Sequence, residues 1–420
     1  MNRYSEYKDS GVEWIGEVPS HWETCRFKDF ITLENTSSSR THKIGLENIE
    51  GKTGRFISTN TIFEGDGIDF DKGDVVYGKL RPYLQKVWVA DFNGNAVGDF
   101  FVFRTKSKTH NQYVKYLFLS DGFTKEADSA TAGAKMPRVS SEFILSLRFF
   151  IPTQSEQQTI AAYLDKKCGE IDKIISTQQK RIALLEELKQ SIITHAVTKG
   201  LDPNAQMKDS GVEWIGEVPE HWKTLRLRFV CELRNGYTPS KANPDFWTDG
   251  TIPWYRMEDI RETGRHLEEA KQYVTEEAIK GGGLFEAGSF IMATTATIGE
   301  HALLIVDSLA NQQFTNLKIR KSLAESLLTE FFFYYLFVVD DYCKTTTRTA
   351  TFPAVNMNDL KNFAVCLPPI EEQRSIINFI KFRCTSIDSS IQKANYEIEL
   401  LQEYKQSLIT EVVTGKRKVC

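Results

Sequence analysis

No two cysteines in this chain are spaced as C-x-x-C, and none of the seven, at 25, 168, 231, 343, 366, 384 and 420, has a histidine nearby at metal-site spacing. That argues against zinc and a disulfide framework and for reduced thiols in a cytoplasm. Long apolar runs are also missing. The longest, Phe331 to Val339, is about half of the ~20 residues a bilayer demands. The polar start MNRYSEYKDS has no signal-peptide core, so the expected location is inside the cell. No GxxxxGK[ST] loop is present for ATP, since Gly281-Gly282-Gly283 runs into Leu284-Phe285. A base-methylating centre would need an S-adenosylmethionine glycine loop and an Asn-Pro-Pro-Tyr clamp. The nearest string, Asn243-Pro244-Asp245-Phe246, has Asp for the second proline and reads as a turn. The seven histidines are scattered, and His21 and His221, beside Trp22 and Trp222, read as packing groups. Nothing here supports an enzyme acting alone.

Charge of one sign is missing as well. The net charge is -4, with 41% hydrophobic and 26% charged residues, an ordinary globular composition, and 420 residues suggest two or three domains. Residues 21–150 carry 18 Lys+Arg against 16 Asp+Glu, and residues 221–366 carry 16 against 18. Neither is a basic module, so any grip on nucleic acid must come from local clusters or a basic partner.

What is present is written twice. Residues 151–200 and 367–416 align at a constant offset of 216, and each ends as a long helix. Ile171, Ile175, Gln178, Ile182, Leu185, Lys189 and Ile192 alternate spacings of four and three, the seam of a coiled coil; Ile387, Ile391, Ala394, Ile398, Leu401, Lys405 and Leu408 repeat it. Gly200 and Gly415 follow where a helix should stop. The segment between the helices leaves the end of one and feeds the start of the other, so they most simply pair antiparallel, which also keeps Lys189 away from Lys405. A break is expected at Cys168-Gly169. The stretch from Glu170 to Ala196 would then span roughly 40 Å at about 1.5 Å per residue, long enough to act as a ruler. Ile174, Leu184, Leu188 and Ile193 on one helix, and Leu400 and Tyr404 on the other, lie off the seam and widen the apolar arc beyond what two helices need, which predicts docked partner subunits.

Residues 8–24, KDSGVEWIGEVPSHWET, return at 208–224 as KDSGVEWIGEVPEHWKT. Farther on, Thr53-Gly54-Arg55 answers Thr263-Gly264-Arg265, Gly73-Asp74 answers Gly288-Ser289, and Met136-Pro137-Arg138-Val139 answers Phe352-Pro353-Ala354-Val355. One unit of about 208 residues is duplicated. The expected architecture is two mixed α/β domains, 1–150 and 201–366, with two helical spacers, 151–200 and 367–420, related by a pseudo-two-fold. Strands are expected at 75–77, 87–89, 100–103, 290–292, 302–306 and 317–319, and helices at 111–120 and 323–338.

Between the scaffold positions the copies differ, mostly in polar loops. Lys79, Arg81 and Tyr83 follow a strand in the first copy, and Thr294, Thr295 and Thr297 occupy the equivalent loop in the second. The second copy adds Arg234, Tyr237, Thr238, Ser240 and Lys241, then Arg256 after Trp254-Tyr255, Gln312 and Gln313, and Arg348 within Thr345 to Thr349. Such groups reach base edges and phosphates, though any one is more often a solvated loop residue. Their recurrence at matched scaffold positions favours a shared face. Two other readings stay open: a bivalent scaffold for protein or carbohydrate, and a nuclease, which would need an acidic cluster the sequence does not display.

The lead motif SGVEWIGEVPxHW, the Pro-x-x-x-Glu-Gln helix starts at Pro152 to Gln157 and Pro368 to Gln373, and the final Leu-Leu-x-Glu-x-Lys-Gln-Ser resemble the DNA specificity subunit of type I restriction-modification enzymes. The resemblance implies two target-recognition domains, each reading half of a split, asymmetric double-stranded DNA sequence. It also implies two methyltransferase subunits and two motor-nuclease subunits as partners. Adenine methylation, cleavage and the binding of S-adenosylmethionine, ATP and Mg would belong to those partners, with no catalytic or metal residue here.

Overall fold

The computed structural model describes residues 3–419 apart from 38–39, 134, 213–214, 296–297 and 348–353. The chain forms two compact units, Met1–Lys180 with Lys393–Cys420, and Arg181–Gln392. Among the described residues no helix is long and apolar enough to cross a membrane.

In the first unit the lead motif folds as a hairpin, Tyr7–Asp9 against Glu17–Pro19. Its turn uses Gly11 at φ 65°, with the Gly11 amide donating to Asp9 Oδ1 at 2.9 Å. Glu23–Arg26 then pairs antiparallel with Arg148–Ile151, so the polypeptide enters and leaves the intervening region side by side. Between them lies an antiparallel sheet in the order Ile31–Glu34, Phe100–Thr105, Val75–Gly78, Val87–Val89, and a smaller sheet of Lys43–Ile44, Gly94–Val97 and Gly67–Phe70. The second unit repeats this plan. Its main sheet runs Cys231–Asn235, Phe314–Ile319, Phe290–Ala293, His301–Leu304, and gains His266–Leu267 as a parallel edge strand.

The expected strands recur with small shifts; 302–306 is observed at His301–Leu304. The helix expected at 111–120 is Asn111–Phe118. The one expected at 323–338 runs later, Thr329–Thr347, because Lys321–Leu323 takes a 3-10 turn first. Trp254 and Tyr255 are not loop residues: they lie in the strand Ile252–Tyr255, buried. Asn243 does open a turn, its side chain accepting from the Asp245 amide.

Each long helix, Gln154–Lys199 and Ile370–Val413, contributes residues to both units. Ile171 is buried and Ile175, Gln178, Ile182, Leu185, Lys189 and Ile192 are half-buried, while most intervening residues from 173 to 188 face solvent. The seam of the second helix is likewise its covered stripe. In the first unit Asp172 meets Lys405 and Gln178 meets Glu397, so residue numbers rise along one helix as they fall along the other. The second unit contains the corresponding pair, Lys189 with Asp388. The pairing in the first unit is antiparallel.

No break occurs at Cys168-Gly169. An interior glycine costs a helix about 1 kcal/mol, but Leu164, Cys168 and Ile171 around it are buried in the first unit's core, and Gly169 itself is exposed. Burying each such apolar side chain contributes about 1.5–3 kcal/mol, which outweighs the glycine. Both helices stop at glycines in the left-handed region, Gly200 and Gly415, each at φ 76°.

The first unit's core joins distant parts of the chain. Leu408, Ile409 and Val412 pack with Trp22, Phe27 and Phe118, while Tyr7 Oη donates to the Gly415 carbonyl at 3.1 Å and Tyr113 Oη to that of Val413 at 3.3 Å. In the second unit Ile193, Ala196 and Val197 take the corresponding place beside Val218 and Trp222.

Candidate nucleic-acid interface

The repeated motifs build the frame that holds the variable loops. At the start of the first long helix, Glu156 accepts hydrogen bonds from Trp22 Nε1 at 3.2 Å and Tyr4 Oη at 2.6 Å, and lies 3.1 Å from His21 Nε2. In the second unit Glu372 receives Trp222 Nε1 at 3.1 Å and faces His221 Nε2 at 2.8 Å. The tryptophans are buried as packing groups should be; the two histidines are about half exposed, each ring oriented by a carboxylate and set against an aromatic neighbour, His21 against Tyr4 and His221 against Trp222.

The neighbouring glutamine fastens the variable region to the helix. Buried Gln157 accepts from the His110 amide at 2.9 Å and donates to the carbonyls of Pro152 and Lys108. Gln373 does the same, accepting from the Leu328 amide and donating to Pro368 and Ser326. An amide side chain offers a donor and an acceptor on one rigid plane, as two facing backbone groups require.

Pro137 and Val139 in the first unit, and Ala354 and Val355 in the second, anchor the loops that follow the central strands. Val139 donates to the Lys79 carbonyl at 3.2 Å and Arg81 to that of Pro137 at 2.8 Å. In the second unit Val355 donates to the Thr294 carbonyl at 2.9 Å, and Thr295 bridges Ala354. Matched sequence positions thus fix matched loops.

In the first unit Arg81 sits at φ 52°, its side chain exposed, beside exposed Tyr83. Lys79 is 3.9 Å from Asp99 and lies over the Phe101 ring. Arg138, marked in the sequence only as part of a repeated string and not as a contact, grips the same Asp99 with two bonds of 2.8 and 2.9 Å, and these hold the Asp99 carboxyl below the usual range. Tyr83 also borders an open cleft of about 1000 Å³ that includes Lys52, Lys125, Arg55, Asp172 and Lys405. Arg55 crosses it to Asp172 at 2.8 Å. Its place in the repeated Thr-Gly-Arg string was the one available signal.

In the second unit the structure brings part of the expected set together. Thr238 bonds Gln312, Asn311 Nδ2 donates to Gln313 Oε1 at 3.2 Å, and the Thr294 amide donates to the Gln313 carbonyl at 2.9 Å. Thr238, Gln312, Gln313, Thr294 and Thr295 therefore form one polar ridge. The Thr294 side chain is buried, its hydroxyl donating to the Gln313 carbonyl at 3.3 Å and lying 3.2 Å from that of Thr315. Ser240 and Lys241 are exposed nearby in sequence.

Three expected contacts point inward instead. Arg234 donates to the Leu284 carbonyl at 2.6 Å and covers the Phe285 ring, and burial lowers its pKa. Tyr237 Oη bridges Ala278 and Lys280, so the ring braces its own loop. Arg256 pairs with Glu258 and lies over Trp254. Thr297 and Arg348 lie outside the described residues. Thr345 is in the last turn of the helix Thr329–Thr347 rather than in a loop.

Of the off-seam apolar residues, Ile174, Leu184, Leu188, Leu400 and Tyr404 are exposed, Leu184 most at 65%. Ile193 is not available: at 1% exposure it belongs to the second unit's core, since the helix is covered on more than one side there. Among the described residues no cluster of three or more His, Cys, Asp or Glu could hold a metal ion.

The family model described as type I restriction modification DNA specificity domain matches residues 19–187 and 219–400. The type I restriction enzyme EcoprrI specificity subunit of Escherichia coli is 45% identical over 153 residues, 36% of this chain and 38% of that protein. The putative MjaX specificity subunit of Methanocaldococcus jannaschii is 23% identical over 429 residues, 96% of each. A solved chain from a study of type I R-M complex assembly and conformational transition shares the fold at a TM-score of 0.71 and 18% identity, covering 94% of this chain and 98% of its own. The HsdS subunit from Thermoanaerobacter tengcongensis gives 0.50 at 18% identity, covering 95% and 98%.

Proposed function

The chain belongs to the family of type I restriction-modification DNA specificity proteins, and from that membership we propose that it reads a bipartite asymmetric DNA target, one half per unit, for partner subunits that carry the chemistry. The observation that carries this reading is the doubled match, which falls on two units with the same frame and different loops. Two dissimilar readers on a repeated frame suit two dissimilar half-sites. Arg81 in one unit, and Thr238, Thr295, Gln312 and Gln313 in the other, supply guanidinium, hydroxyl and amide groups of the kind that contact phosphates and base edges.

In this reading the chain is a non-catalytic subunit working in the cytoplasm. Two methyltransferase and two motor-nuclease subunits would bind S-adenosylmethionine, ATP and Mg and perform adenine methylation, translocation and cleavage. The methyltransferase would dock on the exposed apolar side chains of the long helices.

The test is to sequence methylated DNA from cells expressing the chain with its methyltransferase, beside an Arg81→Ala variant. The expected outcome is a split target whose first-unit half alone is relaxed, losing about 1–3 kcal/mol of discrimination if the contact is a bidentate base contact. An equal loss over both halves and over random DNA would reduce Arg81 to structure or bulk charge. Absence of a split target would remove the reading itself.

A further inference from the structure

His301 opens the strand that follows the Thr294–Thr295 loop and has no exposed surface. Its Nδ1 is 2.6 Å from Asp340 Oδ2, on the helix Thr329–Thr347, and its ring meets Phe333 and Phe337 edge-on at 5.2 and 4.6 Å. Arg265 stacks on Phe337 at 4.6 Å and donates to the His301 carbonyl at 2.9 Å and to Asp340 at 3.2 Å. A base, an acid and a guanidinium are thus gathered against the aromatic rings of Phe333 and Phe337. The first unit manages the same joint without charge. At the positions 216 residues earlier stand Gln85 and Thr124, joined by one neutral hydrogen bond of 2.8 Å. Arg55, the counterpart of Arg265, is turned to Asp172 instead.

The charged version does more than close the fold, because it sits at the exit of the loop. Gly299, at φ 87°, packs so closely that a Cβ would lie 2.6 Å from the Asp340 carbonyl oxygen, and its amide returns to Ala293 at 2.9 Å. The loop's start is held separately, by Val355 on the Thr294 carbonyl and by Thr295 against Ala354. Thr295 is tied to Ala354 and Gly299 to Ala293, so a reading group at Thr295 is held to a fixed position. We propose that Arg265, Asp340 and His301 are positioning residues that set the Thr295 loop for reading the second unit's half of the target. The inference rests on the DNA-reading function proposed above and names the device that tunes it.

The experiment uses the full chain with its methyltransferase partner and selects bound sequences from DNA randomised in both halves. Three proteins are compared with the parent: Thr295→Ala, the double variant His301→Gln with Asp340→Thr, which installs the first unit's pair, and His301→Gln alone. The expected result is a roughly tenfold or greater loss of discrimination in the second half for Thr295→Ala and for the double variant, with the first half unchanged. His301→Gln, which keeps a donor for Asp340, should lose less. If the double variant does not fold, a half-restricted loss in His301→Gln carries the proposal, and its absence overturns it. Should Thr295→Ala relax the second half while both cluster variants read it as the parent does, the positioning role is overturned and the reading loop stands. If Thr295→Ala leaves the second half intact, the loop does not read DNA and both ideas fall together. Should the cluster variants lose second-half discrimination only in step with a lowered melting temperature, and regain it when the selection is run well below that temperature, the cluster is a stability element only and the proposal is overturned.

Discussion

Lys405 Nζ lies 2.7 Å from Asp172 Oδ1 inside the first unit, and its repeat equivalents, Lys189 and Asp388, lie 2.6 Å apart in the second with the two helices exchanged. The pairs share sequence position and geometry but not surroundings. Lys405 and Asp172 have side chains 9% and 13% exposed, against 32% and 45% for Lys189 and Asp388. Asp172 also receives Arg55, so its carboxylate balances two cations.

Removing the acid should therefore have unequal effects. Asp172→Ala strands a buried ammonium and is expected to cost about 3–5 kcal/mol, whereas Asp388→Ala should cost about 0–1 kcal/mol. Urea denaturation of the two variants measures the difference, and equal losses would mean that burial does not decide the worth of this seam pair.

The helix-start glutamines give a second expectation. Gln157→Ala leaves the His110 amide and two carbonyls without a protein partner, at about 1–3 kcal/mol for each group that water does not reach. Hydrogen exchange should accelerate at residues 108–113, with little change in the second unit; Gln373→Ala should do the same around Leu328. Uniform acceleration across the chain would contradict this local fastening.

Acidification should weaken the second unit through His301. Burial holds its imidazole below the ordinary 6.5, Arg265 pushes in the same direction, and Asp340 opposes them. Because the unfolded chain then binds the proton more readily, this contribution to stability is fully present above about pH 6.5 and is lost as pH falls below it. Thermal melts between pH 7.5 and 5 should show the loss, and His301→Gln should flatten the curve. A variant as acid-sensitive as the parent would exclude His301 as the source.

Docking by the long helices predicts a separable defect. Charging Leu184 and Leu400 together, as Leu184→Glu with Leu400→Glu, should release the methyltransferase in pull-down while the circular dichroism stays that of the parent, because both side chains face solvent. Unchanged co-purification would move the docking surface elsewhere.

The fold's larger outlines were legible because they depend on period and repetition. The seam residues from Ile171 to Ile192 show their spacing directly, and repeated Glu-Gln pairs marked the joints although not what they hold. The contact residues were less legible. A polar group after a strand reads the same whether it faces solvent, as Arg81 does, or folds back over a neighbour, as Arg234 and Tyr237 do. Which occurs depends on partners fifty or forty residues away, Leu284 and Ala278. Ile193 was misjudged for a related reason: heptad spacing describes one helix and one partner, while a whole domain covers that position.

The first unit's core closes over Leu408, Ile409 and Val412, contributed by Lys393–Cys420, whereas the second unit is drawn from the continuous run Arg181–Gln392. During synthesis the two therefore mature in the reverse of their order in the message. Residues up to 180 leave the ribosome first, yet wait with Trp22, Phe27 and Phe118 short of their cover while more than two hundred further residues are made. At roughly 5–20 residues per second that interval is about ten to forty seconds, long enough for a chaperone to be the nascent domain's first companion.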